Sequence, residues 1–285
     1  MNDYYACASS CSSFAVVSDS AFYDNEGFGS GGGAIAAAYG ELRVLGTRFI
    51  RNGGSSTSYG GSILGMTLFS LVVKDSYFAY SKSATCGGAI NVGLYGQDQG
   101  SATIQNTVFL ENESVLGGGV ALLIGGSNQS LISGCTFTSN SAALYEQTDD
   151  DSVEKGGNGA DVYLIDGITK IEGSTFEGGR VANMGGSIYS LSVKLAIERC
   201  GFSTSDALIG GALTLTSGEN TVTSCSFTDT NSSDIAGALY VPVTPPTYAF
   251  KNEDKPTTLV VADSQFVRCR ALSGKALPDR LFPAS

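Results

Sequence analysis

Val222-Thr223-Ser224-Cys225-Ser226-Phe227 is one of nine versions of a single six-residue pattern. Aligned on the phenylalanine, the copies end at Phe22, Phe49, Phe78, Phe109, Phe137, Phe176, Phe202, Phe227 and Phe266. Five residues before each stands a β-branched aliphatic: Val17, Val44, Val73, Ile104, Ile132, Ile171, Ile197, Val222 and Val261. Two residues before each stands a small residue: Ser20, Thr47, Ser76, Thr107, Cys135, Ser174, Cys200, Cys225 and Ser264. Three linked positions conserved across nine copies mark a structural repeat, in which each unit buries its apolar face only by stacking on the next.

A second marker follows each phenylalanine. It is a small-residue run, usually Gly-Gly, ending in an aliphatic, as in Gly60 to Ile63, Gly117 to Val120, Gly185 to Ile188 and Gly210 to Leu213. From Gly210 to Thr230 one unit reads as three short strands. Leu213 and Leu215 alternate with threonines, Ser217 to Asn220 form a turn, and Val222 points inward. At Ser224 the phase resets, which puts Cys225 and Phe227 on the same inward face, and Asp229 to Ile235 reads as a polar return. The corner position of Ser224 is held elsewhere by Asp19, Gly46, Asp75, Asn106, Gly134, Gly173 and Asp263, mostly turn formers. Equivalent strands stacked in parallel at about 4.8 Å would superimpose the repeat positions as internal ladders. The expected fold is therefore all-β, a right-handed parallel β-helix of about nine coils, roughly 40 Å long at that spacing.

The coils span about 15–277 of a single domain, preceded by a cap or the tail of an earlier coil, so the chain also reads as part of a longer solenoid. Two stretches leave the repeat as exposed insertions: 142–158, with Asp149-Asp150-Asp151, and 242–257, with four of the six prolines. The 285 residues include 38 glycines, 42% hydrophobic residues and no histidine, and carry a net charge of −11. That charge, with no lysine or arginine cluster, disfavours a nucleic-acid partner. No apolar run is long enough for a membrane helix, and Met1 to Ser20 has no signal-peptide pattern. Seven cysteines leave one unpaired in any full disulfide framework. Cys135, Cys200 and Cys225 read as small buried side chains; Cys200 and Cys225, from successive copies, remain a pair to be judged by geometry. Cys7 and Cys11 are the candidate local disulfide, and as metal ligands they would need two more. No cofactor is expected.

Gly-Gly-Ala-Ile at Gly32 to Ile35 and Gly87 to Ile90 occurs together with Phe-x-x-Asn at Phe22 to Asn25, Phe49 to Asn52, Phe109 to Asn112 and Phe137 to Asn140. This pairing resembles the repeat of the polymorphic outer membrane proteins, the autotransported adhesins of chlamydiae. The resemblance covers residues 15 to 277 and implies an extracellular or cell-surface β-helix with an adhesive or scaffolding role. The chain has neither the export signal nor the C-terminal β-barrel of that family. Three sequons, at Asn112, Asn128 and Asn231, are candidate glycosylation sites expected on turns or returns.

Parallel β-helices also carry polysaccharide lyases and hydrolases, so fold alone does not decide function. Such chemistry needs clustered carboxylates or acidic calcium ligands. The outward positions of the first strands are instead Ala36, Asn91, Tyr189, Thr214 and Tyr240, and no acidic row recurs on them. The expectation is a non-enzymatic structural or adhesive module, a subunit of a filament, appendage or matrix. Its partners would be copies of itself or other surface proteins, met through open coil ends. The alternative is a polysaccharide-binding or polysaccharide-cleaving solenoid, with Tyr189 and Tyr240 as exposed glycan contacts.

Overall fold

In-register parallel pairing of equivalent segments builds the protein, seen here in a computed structural model that describes residues 13–29, 31–93, 100–143, 156–242 and 257–272. Among the described residues there is no helix. The chain winds into a parallel β-solenoid with four ladders of strands. A valine sheet of nine strands runs from Ser13–Ser18 to Thr257–Ala262, and a phenylalanine sheet of nine from Ala21–Tyr23 to Gln265–Val267. A glycine-led sheet of eight strands runs from Ile35–Ala38 to Leu239–Tyr240. The fourth has six strands, from Glu113–Ser114 to Arg270–Ala271. The two insertions lie mostly outside the described residues, as do Cys7, Cys11, Asp149 to Asp151 and the last glycine marker at Gly274 to Leu277.

Register follows the repeat residue for residue. Each phenylalanine pairs with the next, from Phe22 with Phe49 to Phe227 with Phe266. The nine rings stack with centroids 4.6–5.2 Å apart and planes within 8° of parallel. That spacing is the interstrand distance, so the backbone sets the stack, and each fully buried ring contributes about 1.5–3 kcal/mol. The β-branched residues form a second ladder from Val17–Val44 to Val222–Val261. Both ladders lie in one apolar core with the inward aliphatics of the glycine-led sheet, such as Ile63, Val120 and Leu213.

The small position between them is polar for a reason. Its hydroxyl or thiol donates to the carbonyl two residues upstream, as in Thr47 Oγ1 to Leu45 O at 2.9 Å and Ser174 Oγ to Glu172 O at 3.1 Å. The same atom accepts the backbone N–H of its equivalent one coil earlier, as in Cys135 N to Ser174 Oγ at 3.1 Å and Cys225 N to Ser264 Oγ at 3.1 Å. Serine, threonine and cysteine can do both; alanine would strand two buried backbone groups.

Corners form where single residues take the left-handed backbone. The corner before the small residue is left-handed in every copy, Arg199 included. A second corner, two residues after each phenylalanine, is left-handed as well, although several of its residues are poor turn formers: Arg51, Tyr80, Glu111 and Arg268. Charge pairs latch this corner between coils, Arg51 to Asp24 and Arg268 to Asp229, each bidentate.

The expected polar return proves to be partly strand. Asn231–Ile235 and its equivalents make the fourth sheet, which turns small side chains such as Ala142, Val181 and Ala207 into a minor apolar cluster. The Phe-x-x-Asn asparagines begin this turn as a buried ladder. Asn112 Nδ2 donates to Asn140 Oδ1 at 3.0 Å and to Phe78 O at 3.1 Å, while Asn140 Oδ1 also accepts Asn112 N–H at 2.9 Å.

The glycine pair has two distinct causes. Gly210 has left-handed φ, and a Cβ there would lie 2.5 Å from Leu213 O. Gly211 is closed by the next coil, since its Cβ would lie 2.1 Å from Gly237 O. At Gly173 an added Cβ meets nothing within 4 Å, and aspartate or asparagine fills this left-handed corner in other coils. Chemical denaturation is therefore expected to show Gly211→Ala destabilised by about 2–4 kcal/mol and Gly173→Asn within about 1 kcal/mol of the parent. Equal losses would contradict the distinction.

Candidate functional surfaces

Expected outward positions on the glycine-led sheet are largely closed. Asn91, Tyr189 and Thr214 are buried, because the segment before each glycine pair folds back over the outer face of the strand that follows. A second apolar cluster results, with Tyr163, Ile165, Tyr189 and Leu191 packed under Tyr59, Leu116 and Met184. Tyr163 stacks on Tyr189 at 5.3 Å. Tyr189 is thus a packing residue and not an exposed glycan contact; Tyr240 is half-buried, and Ala36 stays exposed. The alternation of Leu213-Thr214-Leu215-Thr216 looks half-exposed only because threonine is polar. Thr214 Oγ1 donates to Ile209 O at 3.3 Å and Thr216 Oγ1 to Ser190 O at 2.7 Å.

The sequons separate by burial. Asn112 belongs to the buried asparagine ladder, so the expectation of a turn-borne glycan there is corrected: both faces of its amide are engaged, with no room for a sugar. Asn128 is exposed at a turn, and Asn231 is half-buried in a strand with its Nδ2 donating to Asp229 O at 3.1 Å. Cys135, Cys200, Cys225 and Cys269 are free thiols. Cys200 and Cys225 are adjacent rungs, with Cys200 N donating to Cys225 Sγ at 3.5 Å, and do not form a bridge. Burial pushes the Cys135 thiol up to about 11. The Cys225 thiol, with burial second, raises Cys200. Cys135 and Cys200 are therefore protonated rungs of the relay, while hydrogen bonding from Cys200 lowers the half-buried Cys225 thiol to about 7.

Charge on the valine sheet is arranged as pairs both within a strand and between coils. Lys170 Nζ lies 3.1 Å from both Glu172 and Glu198, and Arg199 Nη2 lies 2.9 Å from Glu172. Hydrogen bonding from Lys170 holds the Glu172 carboxyl below its usual range against an opposing desolvation. Among the described residues no group of three or more His, Cys, Asp or Glu is placed to hold a metal ion. Nor is any helix there long and apolar enough to cross a membrane, which leaves strand-built spans unaddressed.

One buried carboxylate breaks the repeat. Asp161 occupies the position before the inward aliphatic that is Ser62, Ala89, Ser187 or Ala212 in other coils, and it is fully buried. Its reason lies at the end of the same coil, where Gly179 replaces the ladder asparagine. Asp161 Oδ1 accepts Asn140 Nδ2 at 2.9 Å, the bond an asparagine at 179 would have taken. A Cβ on Gly179 would lie 2.9 Å from Asp161 Oδ2. That oxygen makes no well-formed hydrogen bond, although it faces Ser187, whose Oγ is engaged with Ser205 Oγ at 2.7 Å. Burial raises the Asp161 carboxyl to about 7, against smaller opposing contributions from Asn140 and Ser187. No family model, curated protein or solved structure matches the chain.

Because the folded carboxyl titrates above its unfolded value, its stabilising contribution is full below about pH 4 and is lost as pH rises toward 7. Asp161→Asn keeps the acceptor for Asn140 and cannot ionise. Relative to Asp161→Asn, the parent is expected to be equally stable at pH 4 and weaker at pH 8 by up to roughly 3–4 kcal/mol. Denaturant titrations at the two pH values measure this; a pH-independent difference would contradict it.

Proposed function

We propose that the chain is a non-enzymatic structural module of the extracellular space or cell surface, an adhesive or scaffolding solenoid that joins neighbours through its coil ends. The observation that carries this reading is how the ladders finish. Val222 and Phe227 are fully buried, yet Val261 and Phe266 on the next coil are 41% and 46% exposed. Among the described residues, no strand pairs with the outer edge of Thr257–Ala262 in its sheet. An apolar row beside an unpaired strand edge favours addition of another strand.

Three further features support the reading. The Gly-Gly-Ala-Ile and Phe-x-x-Asn motifs resemble a repeat of surface adhesins. The outer face of the glycine-led sheet is covered over its middle coils by an apolar cluster. The exposed sequon at Asn128 suits a glycosylated surface protein.

Sedimentation velocity across a concentration series tests the joining role. Concentration-dependent association is expected, weakened at least tenfold by Phe266→Asp, which places a charge on the exposed rung. A monomer at every concentration would overturn the reading.

A further inference from the structure

Strand Ser13–Ser18, at the other limit of the valine sheet among the described residues, has the same length as Thr257–Ala262 and the same Val-Val pair at its fourth and fifth positions. Setting Val17 beside Val261 carries the pairing rule of the interior across a junction between two molecules. In that register Phe22 falls on Phe266, extending a stack whose nearest existing contacts are 4.9 Å at Phe22–Phe49 and 4.7 Å at Phe227–Phe266. The outward rows match as well. Val16, 50% exposed, falls beside Val260, 57% exposed, and Tyr23, 49% exposed, falls beside Val267, 40% exposed.

Charge supplies the independent check. At the second corner the C-terminal end reads Asp229 then Arg268, and the N-terminal end reads Asp24 then Arg51. Joined in this register, the corner row becomes Asp229, Arg268, Asp24, Arg51, so that Arg268 meets an opposite charge.

From these matches we infer that the partner of each coil end is a second copy of this chain, docked head to tail with Ser13–Ser18 paired in parallel to Thr257–Ala262. A head-to-tail interface whose operator advances along the solenoid axis does not close, so it produces a filament with continuous ladders. The inference rests on the joining role proposed above, narrowing it to one partner, one polarity and one register.

A charge exchange tests it. Arg268→Asp puts aspartate against Asp24 at every junction, and Asp24→Arg puts arginine against Arg268. Each variant alone is expected to associate at least tenfold more weakly than the parent by sedimentation, while an equimolar mixture recovers association, because both of its junctions then pair opposite charges. Parent-like association of each variant alone, or no recovery on mixing, would overturn this junction and leave the joining role standing. A parent that stays monomeric would overturn both. Circular dichroism checks that the variants fold. If either does not, electron cryomicroscopy of the parent assembly decides: Ser13–Ser18 beside Thr257–Ala262 supports the junction, and any other contact overturns it.

Discussion

Parallel pairing of each coil with its exact equivalent in the next is the constraint on which the structure depends. It places like side chains on like at about 4.8 Å, which suits flat rings and branched aliphatics and punishes any residue that cannot tolerate its own copy above and below. Stacked phenylalanines and valines satisfy it by dispersion and burial. Polar positions satisfy it by handing one hydrogen bond along the axis, the role of the Ser/Thr/Cys relay and of the asparagine ladder. Backbone crowding between coils then excludes every side chain at the second glycine of each pair. Charges obey the same rule by pairing across coils, Asp24 with Arg51 by alternation and the stacked Glu172 and Glu198 through Lys170 between them.

Exceptions to the repeat are informative because the rule is strict. Gly179 and Asp161 each look like decay of a motif, yet together they preserve the acceptor that Asn140 requires. The replacement is imperfect: a carboxylate has no proton to pass onward when ionised, and it is held where water cannot solvate it. That coil therefore carries a protonation dependence absent from coils with a complete asparagine ladder.

The inward architecture was legible in the residues, since Val222, Cys225 and Phe227 belong to positions kept in all nine copies. So was the first corner, because Asp, Asn and Gly are residues that accept its left-handed backbone. The second corner was hidden: Arg51, Tyr80 and Arg268 are not turn residues, and what holds two of them is a pairing with the neighbouring coil. The fourth sheet was hidden because Ser114, Ala142 and Ala207 are small enough to read as loop. Tyr189 misled for a related reason. Its alternate position says only that it leaves the main core, and the covering segment that buries it returns from earlier in the same coil. Asn112 likewise reads as a sequon locally and as a ladder rung only once coils are stacked. Joining through the ends follows from the same constraint, since a coil satisfied on one side only repeats the interior problem at the surface.

Ser174 offers the most direct test of the account, because its position separates a packing site from a hydrogen-bond relay. The measurement is the unfolding free energy of Ser174→Ala against Ser174→Cys. If the hydroxyl carries a bond from Cys135 N–H and to Glu172 O, alanine costs about 1–3 kcal/mol more than cysteine, although alanine is the smaller and less demanding side chain. Equal stability of the two variants, or a more stable alanine, would show that the position asks only for small volume and would contradict a hydrogen-bond relay between coils.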